Sequence, residues 1–158
     1  MKWLSLSALV IVLDQLSKYL ADQYLALHHP VPVFPGFNLT LMHNTGAAFS
    51  FLSSAGGWQR WFFIGLGSII SVFLVTWIHR LDAQQRWLAC SLSLILGGAL
   101  GNLLDRVVLS YVIDFIDVYY NSWHWPAFNI ADSAITVGAV MLIIESFWMT
   151  DKKSRPNR

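Results

Sequence analysis

Phe128-Asn129-Ile130-Ala131-Asp132-Ser133-Ala134 opens an apolar run that continues to residue 148, and it carries a carboxylate just inside its start. A run of that length and character suits a membrane span, which needs roughly 20 apolar residues. An acid placed where a chain enters lipid is costly, so it usually has a partner or a task. Asn129 fits a helix N-cap and Asp132 the third helical position, a variant of the capping box in which side chains satisfy free N–H groups at the helix start. That is a structural use for Asp132. A helix N-terminus also favours an ionised carboxylate, which leaves a shared proton to a second acid.

Candidates for that second acid lie upstream in Tyr111-Val112-Ile113-Asp114-Phe115-Ile116-Asp117. In a strand Asp114 and Asp117 point to opposite faces, so only one can meet Asp132. Periodicity does not choose between them, and a solvated loop acid is the plain alternative for either. Two acids meeting at one membrane surface suggest acid–base chemistry there.

The rest of the chain supports a membrane setting. Of its 158 residues 56% are hydrophobic and only 12% charged, whereas soluble globules carry about 25% charged residues. The mean hydropathy is +0.53. Four stretches are long and apolar enough to cross a bilayer, at 3–24, 61–78, 87–104 and 130–148. Little chain is left over, so residues 1–158 are read as one membrane domain with outer loops at 25–60 and 105–129. The first stretch begins like a signal peptide, but its apolar pattern runs on through Tyr24 with no small-x-small cleavage site after Leu13, which marks a retained helix. Lys2, Arg80, Arg86, Lys152, Lys153, Arg155 and Arg158 fall on one side of a four-span arrangement. The positive-inside rule makes that side, with both termini, cytoplasmic. Trp58, Trp61, Trp123 and Trp125 then belong to the outer interface, and Trp77, Trp87 and Trp148 to the inner one. A net charge of +1 with no basic stripe gives no sign of a nucleic-acid partner. Cys90 is alone, so one chain can build neither a disulfide nor a thiolate metal site.

Neither outer loop reads as a linker. Residues 37–44 alternate as a strand does, following the Pro35-Gly36 turn, and 111–120 is rich in β-branched and aromatic residues. The two loops are expected to form a small β-platform.

Other residue groups carry less. Gly97-Gly98-Ala99-Leu100-Gly101-Asn102-Leu103-Leu104-Asp105-Arg106 closes the third span. Its Gly97 and Gly101 allow a neighbouring helix to approach closely. Asn102 and Arg106 lie one turn apart on one face, and Arg106 can hold a substrate carbonyl or a lipid headgroup, or pair with Asp105, or snorkel. Asp14 and Lys18 share an (i, i+4) face near the middle of the first span, where such pairs face the bundle interior and read as a structural network. The histidines at 28, 29, 43, 79 and 124 show no metal-ligand spacing, and no Gly-x-Ser-x-Gly is present.

Five ordered blocks together resemble one family over nearly the whole chain, the bacterial lipoprotein signal peptidases (signal peptidase II). They are Asp14-Gln15-Leu16-Ser17-Lys18, His43-Asn44-Thr45-Gly46-Ala47-Ala48-Phe49, the Gly97–Asn102 run with Asp105-Arg106, Val112-Ile113-Asp114-Phe115, and Phe128-Asn129-Ile130-Ala131-Asp132. The resemblance implies an aspartic endopeptidase of the bacterial inner membrane. Such an enzyme cuts diacylglyceryl-modified prolipoproteins just before the lipidated cysteine, at the periplasmic surface. It implies Asp114 and Asp132 as the catalytic pair, Asn44, Asn102, Arg106 and Asn129 around the substrate, and Asp14 and Lys18 in support. It further implies contact with membrane phospholipid, inhibition by globomycin-type cyclic peptides, and no need of a metal or organic cofactor. Two close carboxylates share a proton, which gives such a pair one base and one acid. A transporter with an ion path through Asp14, Lys18 and Arg106 is the rival from another class, but here the acids cluster at one face. A metal-dependent membrane hydrolase using the same acids is a second rival, separable by its response to EDTA.

Overall fold

The computed structural model describes residues 2–46 and 57–154, with side chains to residue 147. Ala47, Ala48, Phe49, Gly56, Arg155 and Arg158 lie outside the described residues, as do the side chains of Trp148, Lys152 and Lys153. Four helices carry the chain: α1 (Lys2–Tyr24), α2 (Trp58–His79), α3 (Arg86–Val108) and α4 (Ile130–Ser154). Each contains a window long and apolar enough to cross a membrane. Between them come β1 (Val31–Phe34), β2 (Phe37–Asn44), β3 (Val112–Tyr120) and β4 (Trp123–His124), in one antiparallel sheet of order β1-β2-β3-β4.

Helix α3 is the axis of the bundle. Its buried residues run from Leu88 to Asp105, and the other three helices pack on it. Its glycines make that possible at two points. A Cβ on Gly101 would stand 2.6 Å from Asp14 Oδ2 of α1, and one on Gly98 would run into the carbonyl of Ala131 in α4. Small residues let helix backbones close up in this way where lipid supplies no hydrophobic drive between helices. Leu74, Ile78, Leu88, Leu92 and Leu96 fill the α2–α3 contact. The remaining faces of α1, α2 and α4 expose large apolar side chains such as Val12, Ile69, Phe73 and Ile143, as lipid-facing surfaces do.

The sheet sits at the end of the bundle where α1 finishes. Leu41, Ile113 and Phe115 pack with Ala21 of α1 and seal sheet to helices. Strands β2 and β3 fall close to the two segments read as strands, 37–44 and 111–120, with a bulge between Leu39 and Met42. Strand β1 is additional. Its Pro32 removes a donor, which an edge strand tolerates.

Two boundaries differ from the sequence reading. The first loop ends sooner, because α2 begins at Trp58, and the second begins later, because α3 continues to Val108. Asp105 and Arg106 are therefore helical. The extra turn is held by Arg60, whose Nε and Nη2 donate to the carbonyls of Arg106 and Val107 at 2.9 Å each. These are carbonyls a helix C-terminus otherwise leaves unpaired.

Candidate active site

The site rests on a buried ionic network between α1 and α3. Asp14, one turn below Lys18, is wholly buried, and Lys18 is 2% exposed. The Lys18 ammonium lies 2.8 Å from Asp14 Oδ2 and 2.9 Å from Asp105 Oδ2, and it donates to Asn102 Oδ1 at 2.9 Å. Its three N–H donors thus meet three acceptors, which is what makes a buried charge tolerable. The second oxygens are also used. Ala131 N–H donates to Asp14 Oδ1 (2.9 Å), and Gln15 Nε2 donates to Asp105 Oδ1 (2.8 Å). Ile113 N–H donates to Asp105 Oδ2 (3.1 Å), which ties the network to β3. Arg106 does not pair with Asp105, because Lys18 occupies that carboxylate.

Above this base Asn102 and Asn129 carry the network to two further acids. Asn102 Nδ2 donates to Asp132 Oδ1 at 2.7 Å, so one amide joins Lys18 to Asp132. Asn129 caps α4: its Oδ1 accepts the Asp132 N–H (2.9 Å), and its own N–H reaches Asp132 Oδ2 (3.3 Å). This is the reciprocal capping box its sequence suggested. The Asn129 amide also donates to Asp114 Oδ1 at 2.7 Å and to the Ile113 carbonyl at 3.2 Å. From the other side Asn44 Nδ2 donates to Asp114 Oδ2 at 2.9 Å. Asp132 on α4 and Asp114 on β3 are therefore fixed relative to each other through Asn129.

Their environment separates them from ordinary surface acids. Asp114 is 2% exposed. Burial, followed by the negative charge of Asp132, pushes its carboxyl from 3.8 up to about 7, against the opposing effect of the Asn44 and Asn129 donors. An acid in that range can hold a proton at neutral pH and release it again.

Both acids open onto one cavity of about 610 Å³. Asn44, Asn102 and Arg106 line its polar end, while Trp125, Phe128, Ile135 and Val137 give it a largely apolar wall that follows α4. Arg106 is held from three directions, donating to the carbonyls of Asn102 (3.2 Å) and Gly46 (2.8 Å) and lying 5.0 Å from the centre of the Phe63 ring. Asn129 is wholly buried behind the acids, so its amide orients them from within. The depth is notable: Lys18, level with Asn102, lies six residues before the end of α1, about 9 Å at 1.5 Å per residue.

Asp117 stands apart from this cavity. Asn38 Nδ2 and Thr40 Oγ1 donate to its Oδ2 at 3.1 Å each, and His124 Nδ1 is 2.8 Å from its Oδ1. Burial would raise its carboxyl, but these partners outweigh burial and hold it below the usual range. Sequence reasoning did not find the parts played by Gln15, Asp105 and Arg60. Gln15 and Asp105 sit inside blocks that were singled out, whereas nothing local marks Arg60.

Comparison with known proteins agrees with this architecture. Residues 6–148 match the signal peptidase (SPase) II family model. Lipoprotein signal peptidase of Acinetobacter baumannii ATCC 17978 is 55% identical over 98% of this chain and 86% of its own length. The protein of the same name from Coxiella burnetii is 51% identical over 98% and 93%. A bacterial membrane enzyme solved by the in meso method at 2.3 Å superposes with a TM-score of 0.88, at 31% identity over 99% of this chain and 94% of that one. Four membrane-length helices, a small capping sheet and this likeness along the full chain lead to one conclusion: the chain belongs to the signal peptidase II family, whose members are proteases of the aspartic class.

Proposed function

We propose that this protein removes signal peptides from diacylglyceryl-modified prolipoproteins by cutting just before the lipidated cysteine, with Asp114 and Asp132 as the catalytic pair. The observation that carries this reading is the shared cavity, in which Asn129 and Asn102 hold the buried carboxyl of Asp114 and the part-buried one of Asp132 while Asp114 is pushed up to about 7. Ionised Asp132, at the start of α4, draws a proton from a water whose oxygen adds to the scissile carbonyl carbon. Asp114 gives its proton to the carbonyl oxygen, and a tetrahedral intermediate forms. On collapse the C–N bond breaks, the proton taken by Asp132 passes to the leaving amine, and one hydroxyl of the intermediate returns its proton to Asp114, which leaves the carboxyl product and the pair as it began. The proton-sharing constants belong to the pair as a unit.

The surroundings suit such a substrate. The apolar wall along α4 accommodates a signal-peptide segment and the acyl chains of the lipidated cysteine, and Arg106 and Asn44 face the polar end where peptide carbonyls arrive. Asn102 and Asn129 then act on substrate through the acids they orient, and Asp14 and Lys18 support that arrangement from below. The whole chain works as one domain in the bacterial inner membrane. Its termini are cytoplasmic, and the sheet and cavity lie at the periplasmic surface among phospholipid headgroups. Globomycin-type cyclic peptides would compete for this cavity.

The test uses purified protein in detergent with a diacylglyceryl-modified prolipoprotein and its unmodified precursor. Wild type is expected to cut only the lipidated form, and folded Asp114→Asn and Asp132→Asn variants to lose cleavage. Near-normal turnover in either variant would exclude the dyad. A folded wild type that cuts neither substrate would exclude the peptidase reading.

A further inference from the structure

A second cavity, of about 490 Å³, adjoins the first. Trp125, Pro126 and Ala127 line both and form the partition between them. That partition is pinned to β3 at each end, through Trp125 N–H to the Val118 carbonyl (2.8 Å) and the mutual bonds of Phe128 and Ile116 (3.1 and 2.9 Å). The two cavities open onto different surroundings. The first runs along α4, a membrane-length helix, whereas the second is walled by the sheet and by the connection between α1 and β1. Met42 of the second cavity is the cross-strand partner of Asp114, so the second begins one strand away from the candidate acid.

The second cavity carries polar groups that the proposed chemistry leaves unused. Asp117 holds three partners there, and His124, half-exposed, stacks on Tyr119 with ring centres 5.1 Å apart. His28 is more unusual. It adopts a left-handed backbone conformation (φ 63°), rare for a residue with a Cβ. Its N–H donates to the Leu41 carbonyl at 2.9 Å, and its Nδ1 lies 3.1 Å from Met42 Sδ. Strained backbone that survives where a side chain meets a cavity points toward a use for that side chain.

We propose that this second cavity receives the stretch of substrate that follows the scissile bond, with His28 and His124 hydrogen-bonding its peptide groups and small polar side chains. The proposal rests on the peptidase reading of the first cavity. The geometry gives the direction. The segment before the cut and the acyl chains return along α4 into lipid, so the chain after the cut must leave away from the membrane. The route beside Asp114 in that direction passes the Trp125 partition onto the sheet. His28 and His124 are specificity-determining residues in this account; neither lines the first cavity.

The experiment compares two lipidated substrates with one signal segment, the first ending at the lipidated cysteine as an amide and the second extended by a short serine- and asparagine-rich stretch. Wild type should show a higher kcat/KM for the extended substrate, carried by KM. In His28→Ala and His124→Ala each, the extended substrate should lose about five- to tenfold in kcat/KM, the size of one hydrogen bond to a neutral group, while the truncated one keeps its wild-type value. His124→Gln, which retains a side-chain donor, should recover part of the loss. If His124→Ala fails to fold, His28→Ala decides the question alone. Equal losses on both substrates would mean the residues only support the sheet and would overturn the proposal, as would a wild type indifferent to the extension. A wild type that cuts neither substrate would overturn the peptidase reading itself, a failure visible without any variant.

Discussion

Replacing Asp114 by asparagine should reverse the order of stability between variant and wild type between about pH 4 and about pH 8. In the folded protein Asp114 has been pushed from 3.8 up to about 7, chiefly by burial and then by the charge of Asp132. The folded state therefore keeps a proton that the unfolded chain has already released between those two values. Stability from this group is fully present below about pH 4 and is lost as pH rises through about 7. The whole shift corresponds to roughly 4 kcal/mol, of which roughly 2.7 kcal/mol falls between about pH 5 and about pH 8. The substitution also has a cost that does not depend on pH. Asn129 and Asn44 donate to separate oxygens of Asp114, and an amide offers one acceptor where two are needed, which costs about 1–3 kcal/mol. At about pH 4 the variant should be the less stable protein, and by about pH 8, where the loss exceeds that cost, the order should be inverted. Tryptophan fluorescence during thermal unfolding in detergent reads this directly. Acids not coupled to Asp114, such as Asp117, are common to both proteins and largely cancel in the difference. A constant difference at both pH values, or a variant that loses most at high pH, would refute the reasoning.

Asn44→Ala removes a donor that favours ionised Asp114, so the alkaline limb of the kcat/KM profile should move upward, by about one pH unit for a charge-assisted bond of roughly 1.5 kcal/mol; a downward move would contradict the assignment of Asp114 as the proton carrier. Lys18→Met leaves Asp14 and Asp105 buried without their cation and should destabilise by about 3–5 kcal/mol, with partial recovery on adding Asp105→Asn; denaturation in mixed micelles measures both. Gly101→Ala drives a methyl to 2.6 Å from Asp14 Oδ2 and should cost about 1–3 kcal/mol, lowering the melting temperature and turnover together. An unchanged melting temperature would show that α1 and α3 separate more easily than their packing suggests.

The helices were legible because apolar runs of that length have few alternatives, β2 because its residues alternate, and β3 because β-branched and aromatic residues crowd its segment. Strand β1 was hidden by Pro30, Pro32 and Pro35, which read as loop until the neighbouring strand supplies its partner. The capping box at Asn129 and Asp132 was readable because both halves lie within four residues. The contrast between Asp114 and Asp117 was not. What divides them is non-local: Asn38 and Thr40 lie far away in sequence and reach Asp117, while Asn44 reaches Asp114. Only the resemblance to a family separated the two acids beforehand. Lys18 was visible as a partner for Asp14, but its second carboxylate is on another helix, and no periodicity within α1 indicates Asp105.

The double employment of Asn129 ties the site to the order in which the chain is made. Asp114 leaves the ribosome with β3, but Asp132 and the cap that spaces it from Asp114 belong to the last helix. Until α4 has wound its first turn against Asp14 and the sheet, the first acid has no companion and no fixed distance to one. On the proposed assignment of the pair, a partly synthesised or partly inserted copy is chemically silent until α4 is in place.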